Sequence, residues 1–371
     1  MGLYINQLPH LPLPTDYSKS LGELSSSEPL ELLDPKSGLL RYEGWSKFPN
    51  KWLYNPEMNK AYTPLFNRQK HWNYFYFISD SYLVTMAHTD LGLVKAAYIN
   101  IKDIKDLSKP MIQVKIEDFF GNYINIDTEK NGPGIQSTVA HENLNMTFSR
   151  RPEEFKTNIK VSGHSESGPI EGSFTANSKG YEGISYISSV PNDPYKHSFK
   201  YKLQQKFIGN LKLNGKTIIS CTEKKPCLGL HDNARGVYSY AGGWFWGSTS
   251  FKTRDHEIAL NFEFSEDNPH SSWDSVFIDG KLYKLDPLVL HKVNKDHWKW
   301  NKAPEANHHS TSIQLEFKRV HEHSIGANYL VYNIDLNSNF GYFSGIIKTE
   351  DGQTIKFDDV FGFIEDFNAR W

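Results

Sequence analysis

The sequence predicts an all-β protein built of two antiparallel, barrel-like halves, and three observations carry that expectation. The dominant periodicity is two. Ile258, Leu260, Phe262 and Phe264 alternate with Ala259, Asn261, Glu263 and Ser265, and Ile313, Leu315 and Phe317 alternate with Gln314, Glu316 and Lys318, so each run reads as a strand with one buried face. Such runs are separated by Asn214-Gly215, Asp279-Gly280 and Asp351-Gly352, dipeptides that supply the positive φ of a type I′ hairpin turn. No long amphipathic helix interrupts the pattern. A chain of many antiparallel hairpins avoids open edges by closing into barrels or sandwiches.

Taken in order, the elements begin with an N-terminal extension, residues 1–30. Its opening, MGLYINQLPHLPLPTDYSKS, has no basic segment and is broken by prolines, unlike a secretory signal. Asn6 stands where a myristoylation pattern needs Ser or Thr, and no run approaches the roughly eighteen apolar residues of a membrane helix. A cytoplasmic location is expected. In HWNYFYFI, Trp72, Tyr74, Tyr76 and Ile78 face one way and His71, Asn73, Phe75 and Phe77 the other. A strand covered on both faces suits a barrel wall between an outer packing layer and a cavity, or a solid aromatic core. GGWFWGSTSFKTRDHEIALNFEF, from Gly242, repeats the plan of HWNYFYFISDSYLVTMAHTDLG, from His71: an aromatic strand, a polar turn, an aliphatic return. The stretch SCTEKKPCLG between them reads as a connector, which divides the chain into 1–215 and 216–371. Cys221 and Cys227 are the only cysteines; a reduced pair is expected in a cytosolic setting, with a disulfide across CTEKKPC as the alternative.

The 371 residues include 41 Lys plus Arg against 43 Asp plus Glu, a net charge of −2, which gives no electrostatic case for nucleic acid or an anionic membrane. Aromatics reach 14% while mean hydropathy is −0.56, so much apolar surface must sit inside a polar shell.

The densest set of chemical side chains is CLGLHDNARGVYSYAGGWFWGSTS, residues 227–250. Alternation puts Trp244 and Trp246 on one face, after Gly242 and Gly243, which leave room for a ligand beside the indoles. His231 and Asp232 precede this strand. A desolvated Asp232 would be a general acid near neutrality, assisted by His231, whereas pairing with Arg235, three residues on, would make it a structural anchor. Asp90, in MAHTDLG, holds the matching place in the first aromatic hairpin as a further acid or a turn former. Tyr238 and Tyr240 complete the aromatic wall with Trp72, Tyr74 and Tyr76. His308, His309, His321 and His323 lack the convergent spacing of a metal site and read as surface residues, and no phosphate loop or GxSxG elbow occurs. No metal and no cofactor are expected.

Several blocks, LLDPKSGLLRYEGWSKFPNKWLYN, HWNYFYF with Asp90, GLHDNARGVYSYAGGWFWGS, SVFIDGKLYKL, FGYFSG and GFIEDFNARW, together resemble the family catalogued as domain of unknown function 2804, from about Leu32 to the end. More remotely they are similar to the two-barrel lipocalin-like proteins that include carotenoid hydratases and the fungal cyclases called Diels–Alderases. The resemblance implies tandem lipocalin-like β-barrels with an apolar small molecule between or inside them. Asp232, Arg235, Gly236, Trp244 and Trp246 fall on the family's central motif. Here VYSYAGGW replaces the family's Trp-Pro-Tyr-Arg run, so that wall lacks a basic residue. The expected function is a cofactor-independent enzyme acting on an apolar, unsaturated small molecule by acid-assisted isomerisation, hydration or cyclisation. The alternative is a non-catalytic carrier of such a hydrophobic ligand. A cavity of several hundred cubic ångströms is expected for either.

Overall fold

The computed structural model describes residues 21–55, 69–126, 134–151, 154–190, 193–265, 273–303, 306–329 and 332–370; the leader reading of the first twenty residues lies outside them. The described elements are all strands. In chain order they are β1 (Leu30–Glu31), β2 (Gly44–Phe48), β3 (Trp52–Leu53), β4 (Gln69–Ile78), β5 (Tyr82–Asp90), β6 (Lys95–Asp103), β7 (Ile112–Asp118), β8 (Ile124–Ile126), β9 (Ile135–His141), β10 (Leu144–Arg150), β11 (Lys156–Ser165) and β12 (Gly168–Asn177). They continue as β13 (Gly183–Val190), β14 (Asp193–Leu213), β15 (Lys216–Cys221), β16 (Cys227–Val237), β17 (Ala241–Lys252), β18 (Glu257–Ser265), β19 (Ser275–Ile278), β20 (Lys281–Lys284), β21 (Leu288–Asn294), β22 (His297–Lys302), β23 (Ser312–Tyr329), β24 (Tyr332–Lys348) and β25 (Thr354–Arg370).

The first large sheet runs β7-β6-β5-β4-β16-β14-β12-β11-β10-β9-β8, with β13, β15 and β2 attached at β14 and β13, and curls into a nearly closed barrel. The second runs β20-β19-β18-β17-β25-β24-β23-β22-β21 and forms a half-barrel. The division therefore differs from the expected one near residue 215. β15 pairs β14 from Gly209 to Leu213, and β16 pairs β14 from His197 to Phe207, so the stretch read as a connector is a hairpin inside the first sheet. The chain changes sheet between Val237 and Ala241.

The turn chemistry acts as the sequence indicates at two of three sites. Asn214 and Gly215 have φ of 52° and 74°, and Asp279 and Gly280 of 52° and 81°, the double positive φ of a type I′ turn. At Asp351-Gly352 only the glycine turns left-handed, with φ 86°; Thr349 and Gln353 close a longer loop by a backbone bond of 3.0 Å.

Cys221 and Cys227 form a disulfide, contrary to the reduced pair expected. The turn at Thr222–Lys225 joins the ends of β15 and β16 and brings the two Cα atoms to 5.4 Å, inside the span a disulfide bridges. No helix of the described residues is long and apolar enough to cross a membrane.

Three of the cores among the described residues follow from the alternation. Phe75 and Phe77 join Val84, Met86, Ile99 and Phe148 inside the first barrel. Ile258, Leu260 and Phe262 pack with Trp298, Trp300 and Phe343 inside the second. Trp72, Tyr74, Tyr76, Trp246 and Phe363 fill the seam between the two sheets. Both faces of β4 and β18 are thus buried, and the seam is where the polar side chains of β18 point.

Candidate functional site

Pairing register builds the site from two rows of side chains that meet across the seam. In the first sheet Lys202, Asp232, Tyr74, Ala87 and Tyr98 are opposite one another on β14, β16, β4, β5 and β6. In the second, Glu263, Trp246, Glu365 and Ser338 are opposite one another on β18, β17, β25 and β24. Directly paired residues share a face of a sheet, so each row presents all its side chains to the seam. Lys202 Nζ joins the rows: it donates to Glu263 at 2.6 Å, lies 3.6 Å from Asp232 Oδ2 and sits 4.2 Å over the Trp246 ring. Lys200, two residues before it, also bonds the Glu263 carboxylate and lies 4.8 Å over Trp273.

A cavity of about 180 Å³ opens beside these groups. Its lining includes Asp232, Glu263, Glu365, Tyr74, Tyr98 and Lys200 together with the apolar Trp72, Trp244, Leu91, Val94, Ile334 and Phe367. Its volume falls below the several hundred cubic ångströms expected for a drug-sized ligand. The indoles also leave less free surface than expected. Trp244 lies between Phe367 and Trp72, with centroids at 3.8 and 5.5 Å, while Trp246 bonds Asn261 through Nε1 at 2.9 Å and carries Lys202 on its face. The missing side chain at Gly243 serves the sheet rather than a ligand, since a Cβ there would stand 2.1 Å from Phe367 O.

The three carboxyls of the seam are driven apart in acidity. Burial pushes Glu263 up, but the charges and hydrogen bonds of Lys200 and Lys202 outweigh it and hold the group at about 2. Burial raises Asp232, which is 6% exposed; Lys202 opposes the rise and the Glu263 charge adds to it. Its Oδ1 is buried without a hydrogen-bond partner among the described residues. Glu365 is pushed up to about 7 by burial, against a hydrogen bond from Trp244 and with a contribution from the Asp232 charge. Carboxyls separated in this way can divide the roles of proton donor and fixed anion.

The remaining predicted site residues lie elsewhere. His231 follows the opposite face of β16 into the first barrel, where it stacks on Phe75 at 4.0 Å and reaches Asn73 at 3.3 Å. Burial, with Arg150 and His71 adding, keeps it well below the usual imidazole range, so it neither assists Asp232 nor carries charge. Arg235 shares that inner face and packs its guanidinium 5.6 Å from Tyr54 and 5.3 Å from Phe199. Three residues along a strand reverse the face, so the expected Asp232–Arg235 pair does not form. Asp90 accepts Gly92 N–H at 2.9 Å and lies 3.8 Å from Lys95, the turn-forming arrangement. Tyr76 bonds Ser248 and Ser250 at 2.7 and 3.0 Å, pinning β4 to β17 outside the cavity wall. Tyr238 packs 5.6 Å from Trp72, and neither it nor Tyr240 lines the cavity.

Sequence reasoning missed Lys200, Lys202, Tyr98, Glu263 and Glu365. Glu263 was placed on the polar face of its strand by alternation, and the signal against a solvated face was the run FKYKLQQKF, residues 199–207, where basic residues alternate with aromatics and require a buried acidic partner. Among the described residues, no group of three or more His, Cys, Asp and Glu is placed to hold a metal ion.

Comparison with solved structures gives the same architecture. The chain aligns over 96% of its length with 97% of CghA, in a crystal structure of CghA with Sch210972 and in a second crystal structure of CghA, at TM-score 0.52 and 11% and 10% identity. It aligns over 81% with 88% of kievitone hydratase from Nectria haematococca at TM-score 0.45 and 10% identity. No curated protein matches in sequence. The sequence pattern of domain of unknown function 2804 is matched by residues 23–371, and the chain belongs to that family.

Proposed function

We propose that the protein is a cofactor-independent enzyme that moves a proton on an apolar, unsaturated small molecule held in the seam between the barrels. The observation that supports this reading is the pair Asp232 and Glu365: two acids raised by burial that line one cavity, with the Asp232 charge adding to the rise at Glu365. A carboxyl raised by burial keeps its proton toward neutrality and can act as a general acid, and a neighbouring carboxylate adds to the rise. One member as its acid gives a proton to an alkene carbon. The other, as carboxylate, takes a proton from the carbon next to the cation, which completes an isomerisation; where water adds to the cation instead and gives its extra proton to the same carboxylate, the step is a hydration. Glu263, ionised by Lys200 and Lys202, fixes Lys202 beside Asp232 and so sets the polarity of the cavity's acidic wall. A fold shared with CghA, crystallised with Sch210972, is compatible with this reading. The expected cytoplasmic location is in tension with the Cys221–Cys227 disulfide, because such bonds are rare where thiols are kept reduced.

The test begins with extraction and mass spectrometry of lipophilic compounds that co-purify with the chain. Incubated with the purified compound, Asp232→Asn and Glu365→Gln should each retain binding and lose turnover by about a hundredfold or more. Full turnover in both variants removes the acid pair, and binding without turnover in the parent leaves the carrier reading.

A further inference from the structure

We infer that the β7–β8 loop and the neighbouring β5–β6 turn form a tip that docks on a phospholipid bilayer beside the cavity's rim. Phe120 is 88% exposed, Phe119 49%, Tyr123 45%, and Leu93 of the β5–β6 turn 37%. Such an aromatic group in water is held out against its own hydration cost, and the structure shows what holds it. Asp118, buried at the end of β7, accepts the backbone N–H groups of Phe120, Asn122, Tyr123 and Ile124 at 3.3, 3.0, 2.7 and 3.0 Å. Gly121 takes the positive φ of 69° that the turn requires. The loop is therefore preformed, and the carboxylate that holds it is turned inward.

The two turns belong together. Lys95 Nζ donates to Ile124 O at 3.2 Å and lies 3.8 Å from Asp90 at the end of β5. The turn segments themselves, LGLV at 91–94 and FFGNY at 119–123, contain no charged residue. The tip thus offers apolar side chains and no charge of its own, while the charges behind it are matched in pairs, Lys95 with Asp90 and Lys115 with Glu117, an arrangement that suits the interface of a neutral bilayer. A tyrosine at its margin, Tyr123, matches the depth at which such rings sit. The loop also continues the strand that edges the cavity: Lys115 and Glu117 of β7 line the cavity and are exposed. Resting on the proposed function for its purpose, the tip brings the rim of the cavity to the phase in which an apolar substrate dissolves.

The full chain is sedimented with extruded phosphatidylcholine vesicles in the absence of any substrate, beside Phe119→Ser/Phe120→Ser. The parent should partition to the vesicles, at high salt as well as low because the contact is apolar, and the double variant should lose about tenfold or more of that affinity. Equal partition of both proteins, or none by the parent, overturns the inference. So does a parent that dimerises in gel filtration while the variant does not, since the tip would then be a contact between copies. A titration with a soluble co-purified compound is read separately: binding there without vesicle binding refutes the tip alone, and vesicle binding without it refutes the cavity reading alone.

Discussion

Replacing Glu365 by Gln should abolish a pH dependence of stability that the wild-type protein carries between about pH 4.5 and 7. The unfolded carboxyl loses its proton near its ordinary value of 4.5, whereas the folded one keeps it to about 7. Across that window the native state holds a proton that the unfolded state lacks, so raising the pH removes stability, the reverse of a salt-bridged acid. A displacement of that size corresponds to about 3 kcal/mol at most, at roughly 1.4 kcal/mol per pH unit. Gln keeps the shape and can still accept the Trp244 N–H, so at pH 5 the two proteins should agree within about 1 kcal/mol. At pH 8 the variant should be the more stable by up to about 3 kcal/mol. Urea unfolding at several pH values between 5 and 8, analysed for midpoint and slope, measures this directly. Parallel stability curves for the two proteins would show that Glu365 titrates normally, and the proton-donor role would fall with it.

Further expectations follow from the same geometry. Glu263→Gln strips Lys200 and Lys202 of the carboxylate both hydrogen-bond and should cost about 3–5 kcal/mol; a loss under 1 kcal/mol in urea unfolding would mean the ammonium groups reach solvent. Because Asp232 and Arg235 lie on opposite faces of β16 and form no ion pair, the stability effects of Asp232→Leu and Arg235→Leu should add within about 0.5 kcal/mol, and rescue in the double variant would contradict the strand's facing. Alkylation before and after reduction, followed by intact mass, should find Cys221 and Cys227 protected until reduced, and replacing both by Ser should cost about 2 kcal/mol from the short loop they close.

Much of the architecture was legible in the sequence because local rules suffice for it. Alternation marks a strand without reference to its partners, and Asn214-Gly215 and Asp279-Gly280 form type I′ turns through their own backbone preferences. The division of β4 into two faces was likewise legible, but which face lies inside the barrel was not: Phe75 and Phe77 are inside it, and Trp72, Tyr74 and Tyr76 face the seam. The same rule also held the information that separates His231 and Arg235 from Asp232, since neighbours and residues three apart point to opposite faces of any strand. Proximity in sequence suggested a cluster there, and the pleat dissolved it.

What tertiary structure decided is which polar face meets solvent and which meets another sheet. The alternation of Ile258 to Ser265 reads the same whether Glu263 faces water or a second barrel, because period two records only that one face is apolar. Packing of the two sheets buried the polar face, and Lys200 and Lys202, 63 and 61 residues distant in the chain, became the partners that Glu263 needs. Glu365 stands opposite Trp246 through the register of β25 on β17, a pairing of strands some hundred residues apart that no local preference specifies. Its acidity then follows from burial at that place rather than from its own chemistry. The sequence by itself determined the strands, the turns and the side of each strand; contact between the two sheets determined which of those sides holds the acids.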